Sequence, residues 1–412
     1  MTAESRAQRR VRYHVAVSLS LQIKECALKV GFDVAGIAPL GAWKDLEFSR
    51  RWVEQGFSGE MNYLRNPKRH DPRTLLPSIQ SIICVGSIYS TPLPYSTEIR
   101  SEASEVECRP GVPKAWISRY AWGRDYHETM REKLEKLRSG IETIAPDAET
   151  RVYVDTGPVI ERAFARLSGI GWMGKNTCLI NQQKGSWLFL GVVLTNVGLE
   201  ADLPAPDRCG TCTRCIEACP TDALEPYVMN AARCISYLNI ELKGSIPTEF
   251  RAAMGNNVFG CDICQDVCPW NGGNRKSERR SQNQEARRRS TTTRVPEFQP
   301  MQVRLEGRAF VPQSPASNPV PRSFSMFNPP IEALASITEE DFKRVFRDSP
   351  VKRAKYRGWL RNMCIAMGNS GDARFVPKLE DLIGHLDPIV REHAEWALSR
   401  LQTRSAASNL AP

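Results

Sequence analysis

Cys209-Gly-Thr-Cys212-Thr-Arg-Cys215-Ile-Glu-Ala-Cys219-Pro220 is the stretch that decides how this chain reads. In the spacing Cys-x2-Cys-x2-Cys-x3-Cys-Pro, three thiolates of a tight loop hold one [4Fe–4S] cubane and the fourth reaches a second. A second run follows, Cys261-x2-Cys264-x3-Cys268-Pro269, one thiol short of the full pattern. Cys234 lies between the runs in a segment of helical pattern and can supply the missing ligand. The eight thiolates then close at four per cubane. The expected sharing is Cys209, Cys212, Cys215 and Cys268 on one cluster, and Cys219, Cys234, Cys261 and Cys264 on the other. Structural zinc also takes Cys-x2-Cys pairs, but the Cys-x2-Cys-x3-Cys-Pro spacing suits cubanes better. Two neighbouring clusters make a one-electron wire, and a wire does not define a reaction.

The surroundings bound the setting. A chain of 412 residues is long enough for two or three domains. Lys and Arg number 56 against 46 Asp and Glu, a net charge of +10 that favours an anionic partner without naming one. Eight of the 13 cysteines fall between Cys209 and Cys268, which reads as metal binding rather than disulfides. No apolar run is long enough to span a membrane. The first residues are polar and basic and lack the apolar core of a secretory signal, so a cytoplasmic location is expected. Cys26, Cys84 and Cys364 sit on apolar stretches and read as core thiols, Cys108 as a loop residue, and Cys178 as structural rather than catalytic.

Residues 1–204 read as α/β. Leu19, Ile23, Ala27 and Val30 recur at helical spacing until Gly31, Ser81–Val85 fits a buried strand, and Arg151–Asp155 fits another. Pro158 suits the first turn of a helix carrying Ile160, Phe164 and Leu167 on one face. Residues 205–271 hold the cysteines. Residues 272–325 fill with Arg, Ser, Gln and Pro, lose apolar periodicity and read as a flexible linker or insertion that forms no core. Residues 326–402 are helical. Leu360, Met363, Cys364 and Met367 make one stripe, capped by Gly368–Gly371, and Val390, Ala394, Ala397 and Leu401 make another. That spacing suggests stacked helical hairpins, as in HEAT-type repeats, docked on the rest. Residues 403–412 are a tail.

Two stretches outside the cysteines carry chemistry. Asp155, at a strand end before Thr156-Gly-Pro158, is either a helix cap or a general acid whose pKa a dry pocket raises. Arg119-Tyr-Ala-Trp-Gly-Arg-Asp-Tyr-His127 is dense in aromatic and ionisable groups, and can stack a flat ligand or simply open an amphipathic helix. Gly169-Ile-Gly-Trp-Met-Gly174 matches G-x-G-x-x-G but follows a helix, so it is not read as a dinucleotide site. There is no P-loop and no Cys-x3-Cys-x2-Cys run.

These stretches together resemble epoxyqueuosine reductase. The resemblance rests on Ile117–His127, Val154–Pro158, Gly171–Cys178, both cysteine runs, Cys234–Gly244, Cys268-Pro-Trp-Asn271, and in the tail Ser349–Arg353, Leu360–Cys364 and His393–Leu398. It implies a nitroreductase-like α/β domain holding cobalamin, a two-cluster ferredoxin-like domain and a HEAT-like helical domain. It implies reduction of epoxyqueuosine to queuosine at the wobble position of a tRNA anticodon. Electrons from the clusters would make cob(I)alamin, which attacks the epoxide, and Asp155 would protonate the oxygen that leaves. The resemblance also places cobalamin contacts at Ser118, Tyr126, His127, Asp155, Ser236, Leu242, Lys243 and Asp262, although the Asp-x-His-x-x-Gly motif that ligates cobalt is absent. The helical segment from Lys343 to Arg361 has eight basic residues and one acid, which fits phosphate contacts through Lys343, Arg344, Lys352, Arg353, Lys355 and Arg357. The partners expected are tRNA and an external low-potential electron donor, with the chain a monomer.

Two other functions share parts of this pattern. A corrinoid iron–sulfur reductase of a small molecule, of the dehalogenase kind, shares the cofactors. A ferredoxin-like carrier on a repeat scaffold shares only the clusters.

Overall fold

The computed structural model describes residues 18–41, 43–101, 112–271, 291–305 and 323–408. Helix α1 (Leu19–Val30) begins where the Leu21 N–H donates to the Ser18 hydroxyl and ends at Gly31, whose φ of 104° needs no Cβ. After it come strand β1 (Val34–Ala38), helix α2 (Trp43–Glu54) and strand β2 (Ser81–Ile88). Helix α3 (Tyr126–Ile144) then leads to strand β3 (Thr150–Tyr153), helix α4 (Glu161–Leu167) and strand β4 (Leu188–Thr195). The four strands form one antiparallel sheet in the order β1-β2-β4-β3.

Strand side chains alternate between faces. Ile83, Val85 and Val193 pack under α1 and α3 with Ile23, Leu134 and Ile141. Ile82, Cys84, Val192 and Leu194 pack under α2 and α4 with Leu46 and Phe164. Both faces are covered, so every residue of β2 is buried. The expected α/β reading holds here. The strand end does not: β3 stops at Tyr153 and α4 starts at Glu161, so Asp155 caps no helix and Pro158 lies before the first turn. Asp155 instead sits in the connecting turn at φ 51°, a left-handed conformation that Asp tolerates better than most residues. The G-x-G-x-x-G glycines serve packing. A Cβ on Gly171 would lie 2.3 Å from the Ile180 carbonyl oxygen, across the small hairpin of Trp172–Met173 with Leu179–Ile180.

The cysteine-bearing segment is built from single helical turns, Arg214–Glu217 and Ile263–Asp266, and one short hairpin, Leu224–Glu225 with Val228–Met229. Helices α5 (Lys355–Ser370), α6 (Val376–Ile383) and α7 (Pro388–Ser408) pack on one another and dock on that segment. Both expected stripes are buried. Only Gly371 ends α5; Gly368 lies inside it, with its Cα close to Ala397 of α7, where a Cβ would sit 2.8 Å from the Ala397 Cα. The docking seam is polar. Buried Arg361 donates to the Leu238, Leu242 and Gly244 carbonyls, and buried Asn362 donates to Asn239 and Val258 carbonyls at 2.7 and 2.9 Å. Leaving such a buried acceptor unpaired costs about 1–3 kcal/mol.

The reading of residues 272–325 as coreless is corrected for its described parts. Val303, Leu305 and Phe324 join the C-terminal core through the pairing of Gln302–Arg304 with Ser323–Ser325, and Phe298 packs against the sheet. Single apolar residues spread among polar ones give no periodicity, yet each fills a gap. Gly123 permits this, since a Cβ there would strike the Glu297 carbonyl oxygen at 2.0 Å. The strongly basic stretch 272–290 lies outside the described residues, as does Cys108.

Candidate active site

Asp155 is one end of a chain of ionic hydrogen bonds. His127, in the first turn of α3, donates from Nε2 to Asp155 Oδ2 at 3.1 Å and from Nδ1 to Asp125 Oδ1 at 2.7 Å. Asp125 also caps α3, accepting the His127 backbone N–H. Its other oxygen takes Lys352 Nζ at 2.8 Å, from the turn that precedes α5. So a lysine more than two hundred positions away completes a line Lys352–Asp125–His127–Asp155. The Tyr126 ring holds the imidazole in place, stacked on His127 at 4.1 Å on one side and on Phe189 at 4.1 Å on the other.

The charges in this line set one another. Burial opposes a charge on His127, but the Asp125 and Asp155 carboxylates outweigh it and raise the imidazole to about 9. Burial likewise pushes the Asp155 carboxyl up, while the His127 hydrogen bond and charge, the Tyr126 hydroxyl and Arg353 bring it below the usual range. This corrects the expected raised pKa at Asp155: at neutral pH the proton rests on His127 and Asp155 is its anionic partner. Asp155 is 55% exposed, so its carboxylate can meet a ligand. Around it stand Tyr63, Tyr120, Glu161 and Arg353. Arg353 pairs with Glu241 and lies 5.6 Å over the Tyr63 ring. Glu161, pushed up to about 7 by burial, keeps one buried oxygen without a partner, and Arg69 nearby keeps a buried nitrogen without one.

The other sequence candidates divide. Tyr126, His127 and Asp155 come together. Ser118 and Asp262 are both buried and occupy each other: the Ser118 hydroxyl, the Arg119 N–H and Trp116 Nε1 all donate to Asp262, which leaves it braced from within. The Ser236 side chain faces Cys234. Leu242 and Lys243 lie on the strip after Tyr237–Glu241, the Lys243 N–H donating to Glu60 and the Leu242 carbonyl taken by Arg361. Of the basic residues proposed for phosphate, Lys343 pairs with Glu339, Arg344 with Asp341, Lys352 with Asp125, Arg353 with Glu241 and Arg357 with Asp387. Lys355 is exposed, with φ 60°.

Cys209, Cys212, Cys215 and Cys268 line one cavity of about 310 Å³ with Lys175, Arg208 and Arg214. That is a volume, not a point. Among the described residues no three His, Cys, Asp or Glu close on a single metal ion. Burial pushes the Cys215 thiol up to about 11 and Cys268 up to about 12, so thiolates there need a cationic centre. Cys264 faces Cys261 and Cys234, and Cys234 faces Cys219. Cys178, read from sequence as structural, lies within hydrogen-bonding reach of Cys264. Its loop spans both sets: Lys175 donates to the Gly210 and Cys212 carbonyls, and Asn176 to the Cys264 carbonyl.

Residues 208–271 match the model of a 4Fe-4S double cluster binding domain, and residues 69–156 match the model described as epoxyqueuosine reductase QueG, DUF1730. The chain is 40% identical to the epoxyqueuosine reductase of Synechocystis, over 79% of this chain and 98% of that one. It is 36% identical to that of Pseudomonas aeruginosa, over 93% and 94%. The chain belongs to the epoxyqueuosine reductase family. A solved epoxyqueuosine reductase superposes with a TM-score of 0.73 at 28% identity, covering 95% of this chain and 94% of that one. Another, solved with an epoxyqueuosine-modified tRNA stem loop, gives 0.72 at 28% identity over 92% and 89%. In this epoxyqueuosine reductase family member, sequence reading passed over Tyr63, Glu161, Glu241 and the site-facing role of Lys352 and Arg353. Only the pairing of a basic run with the acidic Asp125 and Glu241 could have hinted at the last two.

Proposed function

We propose that this chain reduces epoxyqueuosine to queuosine in the wobble position of tRNA, with protons delivered at Asp155. The observation that carries the reading is His127 hydrogen-bonded to a solvent-reachable Asp155, in a chain of the epoxyqueuosine reductase family. Removal of that oxygen as water takes two electrons and two protons. Two [4Fe–4S] clusters, one held by Cys209, Cys212, Cys215 and Cys268 and one by Cys219, Cys234, Cys261 and Cys264, supply electrons singly. Bound cobalamin supplies a cobalt that stores two electrons and acts as a nucleophile toward an epoxide carbon. The buried Arg69 Nε, which has no partner, would suit a polar edge of it.

The chain's own residues handle the protons. His127 holds one at neutral pH, and Asp155 passes it to the opening epoxide oxygen, which leaves far more easily once protonated. Asp125 keeps the imidazolium charged and oriented, and Lys352 keeps Asp125 ionised. Once emptied, the pair reloads from solvent through the exposed side of Asp155, which supplies the second proton. Lys355 and the exposed ion pairs of Lys343 and Arg357 are open to exchange for tRNA phosphates, because exposed pairs are weak. The cytoplasmic location and monomeric state belong to this proposal. Among the described residues no helix is long and apolar enough to cross a membrane. No observation at the site favours the small-molecule or carrier alternatives. The test is anaerobic incubation of the cluster- and cobalamin-loaded protein with reductant and tRNA carrying epoxyqueuosine. Nucleoside mass spectrometry will show loss of one oxygen; an unchanged nucleoside with all cofactors bound overturns the proposal.

A further inference from the structure

The cavity of Cys209, Cys212, Cys215 and Cys268 is at the surface. Gly210, Thr211 and Thr213, between its thiols, are exposed, and so are Arg208 and Arg214 at its rim. Among the described residues the charged side chains lining it are Lys175, Arg208 and Arg214, with no carboxylate. The acids of the same segment are held beside the rim rather than in it. Asp207 accepts from the Tyr227 hydroxyl and the Cys209 N–H, and Glu217 accepts from Thr213 and lines, with Glu98, Asp266 and Arg214 itself, a second depression next to the cavity. The second set of thiols connects toward the Asp155 site. Cys261 and Cys264 flank Asp262, which braces Ser118 and Arg119, and the next residue, Tyr120, faces Asp155.

We propose that the rim formed by Lys175, Arg208 and Arg214 is the docking surface for a small acidic protein that carries single low-potential electrons on a flavin or iron–sulfur centre. The proposal rests on the cluster reading above. Tunnelling falls steeply with distance, so a donor must seat over the thiol set nearest the surface. A cationic rim without carboxylates selects an acidic donor and raises its encounter rate by about 10–10³ at low salt. In each encounter the donor loses one electron and the outer cluster gains it; no bond forms and no proton moves. Each epoxide removed needs two such encounters.

The test uses the cluster-loaded full chain and Arg208→Glu/Arg214→Glu in the same state, with iron content measured on both. Cluster bleaching is followed by stopped flow, with reduced flavodoxin as the acidic protein donor and dithionite as a small donor that needs no docking. The wild type should be reduced by flavodoxin faster at low salt than at high salt. In the variant that rate should fall at least about tenfold and lose its salt dependence, with the dithionite rate within about threefold. A flavodoxin rate that is unchanged in the variant, or insensitive to salt in the wild type, overturns the proposal. If the charge reversal loses iron, Arg208→Gln/Arg214→Gln takes its place, with a smaller fall in the same direction. A wild type that binds no iron under reconstitution overturns the cluster reading instead.

Discussion

The cysteine-bearing region and the Asp155 region solve different problems with the same chain. Four of the thiols come from one loop of seven residues, Cys209–Cys215, plus a returning turn at Cys268, and they line their cavity together. The proton site takes Asp125 and His127 from the start of α3, Asp155 from a turn after β3, and Lys352 and Arg353 from the turn before α5. Cluster ligands are specified by local spacing. The proton inventory of Asp155 is specified by distant charges that only the fold assembles.

That contrast predicts how each region breaks. Cys264→Ala should be the most damaging change, since a cubane lacking a thiolate is lost and the wire is cut. Iron should fall from about eight to about four per chain and turnover below detection, measured by iron assay and electron paramagnetic resonance. Asp155→Asn should keep full iron and cobalamin yet lower single-turnover conversion by about 10²–10⁴. Full loss of cofactor in that variant would make Asp155 structural instead.

Smaller effects sharpen the comparison. His127→Asn should cost about 10–100-fold, less than Asp155→Asn, because Asp155 can still collect protons from water. Lys352→Met should change conversion at pH 7 by less than about fivefold. Its mark is on titration: with one cation fewer competing for Asp125, the imidazolium of His127 is held more tightly and its pKa rises, as proton-detected titration of the histidines would show. Lys352→Arg should restore it. An unaltered His127 titration in Lys352→Met would detach α5 from the proton site.

The same contrast explains what was legible in the sequence. Both cysteine runs, the buried strand at Ser81 and the two helical stripes were legible, because spacing and periodicity are local. The true end of β3 was not, since the turn at Asp155 depends on a left-handed backbone that sequence does not announce. Nor was the lowered pKa of Asp155: a carboxylate in a dry pocket rises, and the positions of His127, Tyr126 and Arg353 reverse that. The basic stretch Lys343–Arg361 looked free for phosphate, yet Asp125, Glu241 and Asp387 from other elements already hold part of it. Residues 291–305 looked coreless because five apolar side chains scattered among polar ones, Val295, Phe298, Met301, Val303 and Leu305, make no sustained pattern.

The most direct measurement is the pH dependence of single-turnover oxygen removal by the fully loaded wild type. His127 is raised to about 9 and stays protonated below it, so its proton is present at neutral pH and lost as pH rises. Conversion should therefore hold steady from pH 7 to about 8 and then fall through about pH 9, and His127→Asn should lack that limb. A wild-type rate that is flat or rising through pH 9, or a limb that survives in His127→Asn, would contradict delivery of the proton through this pair.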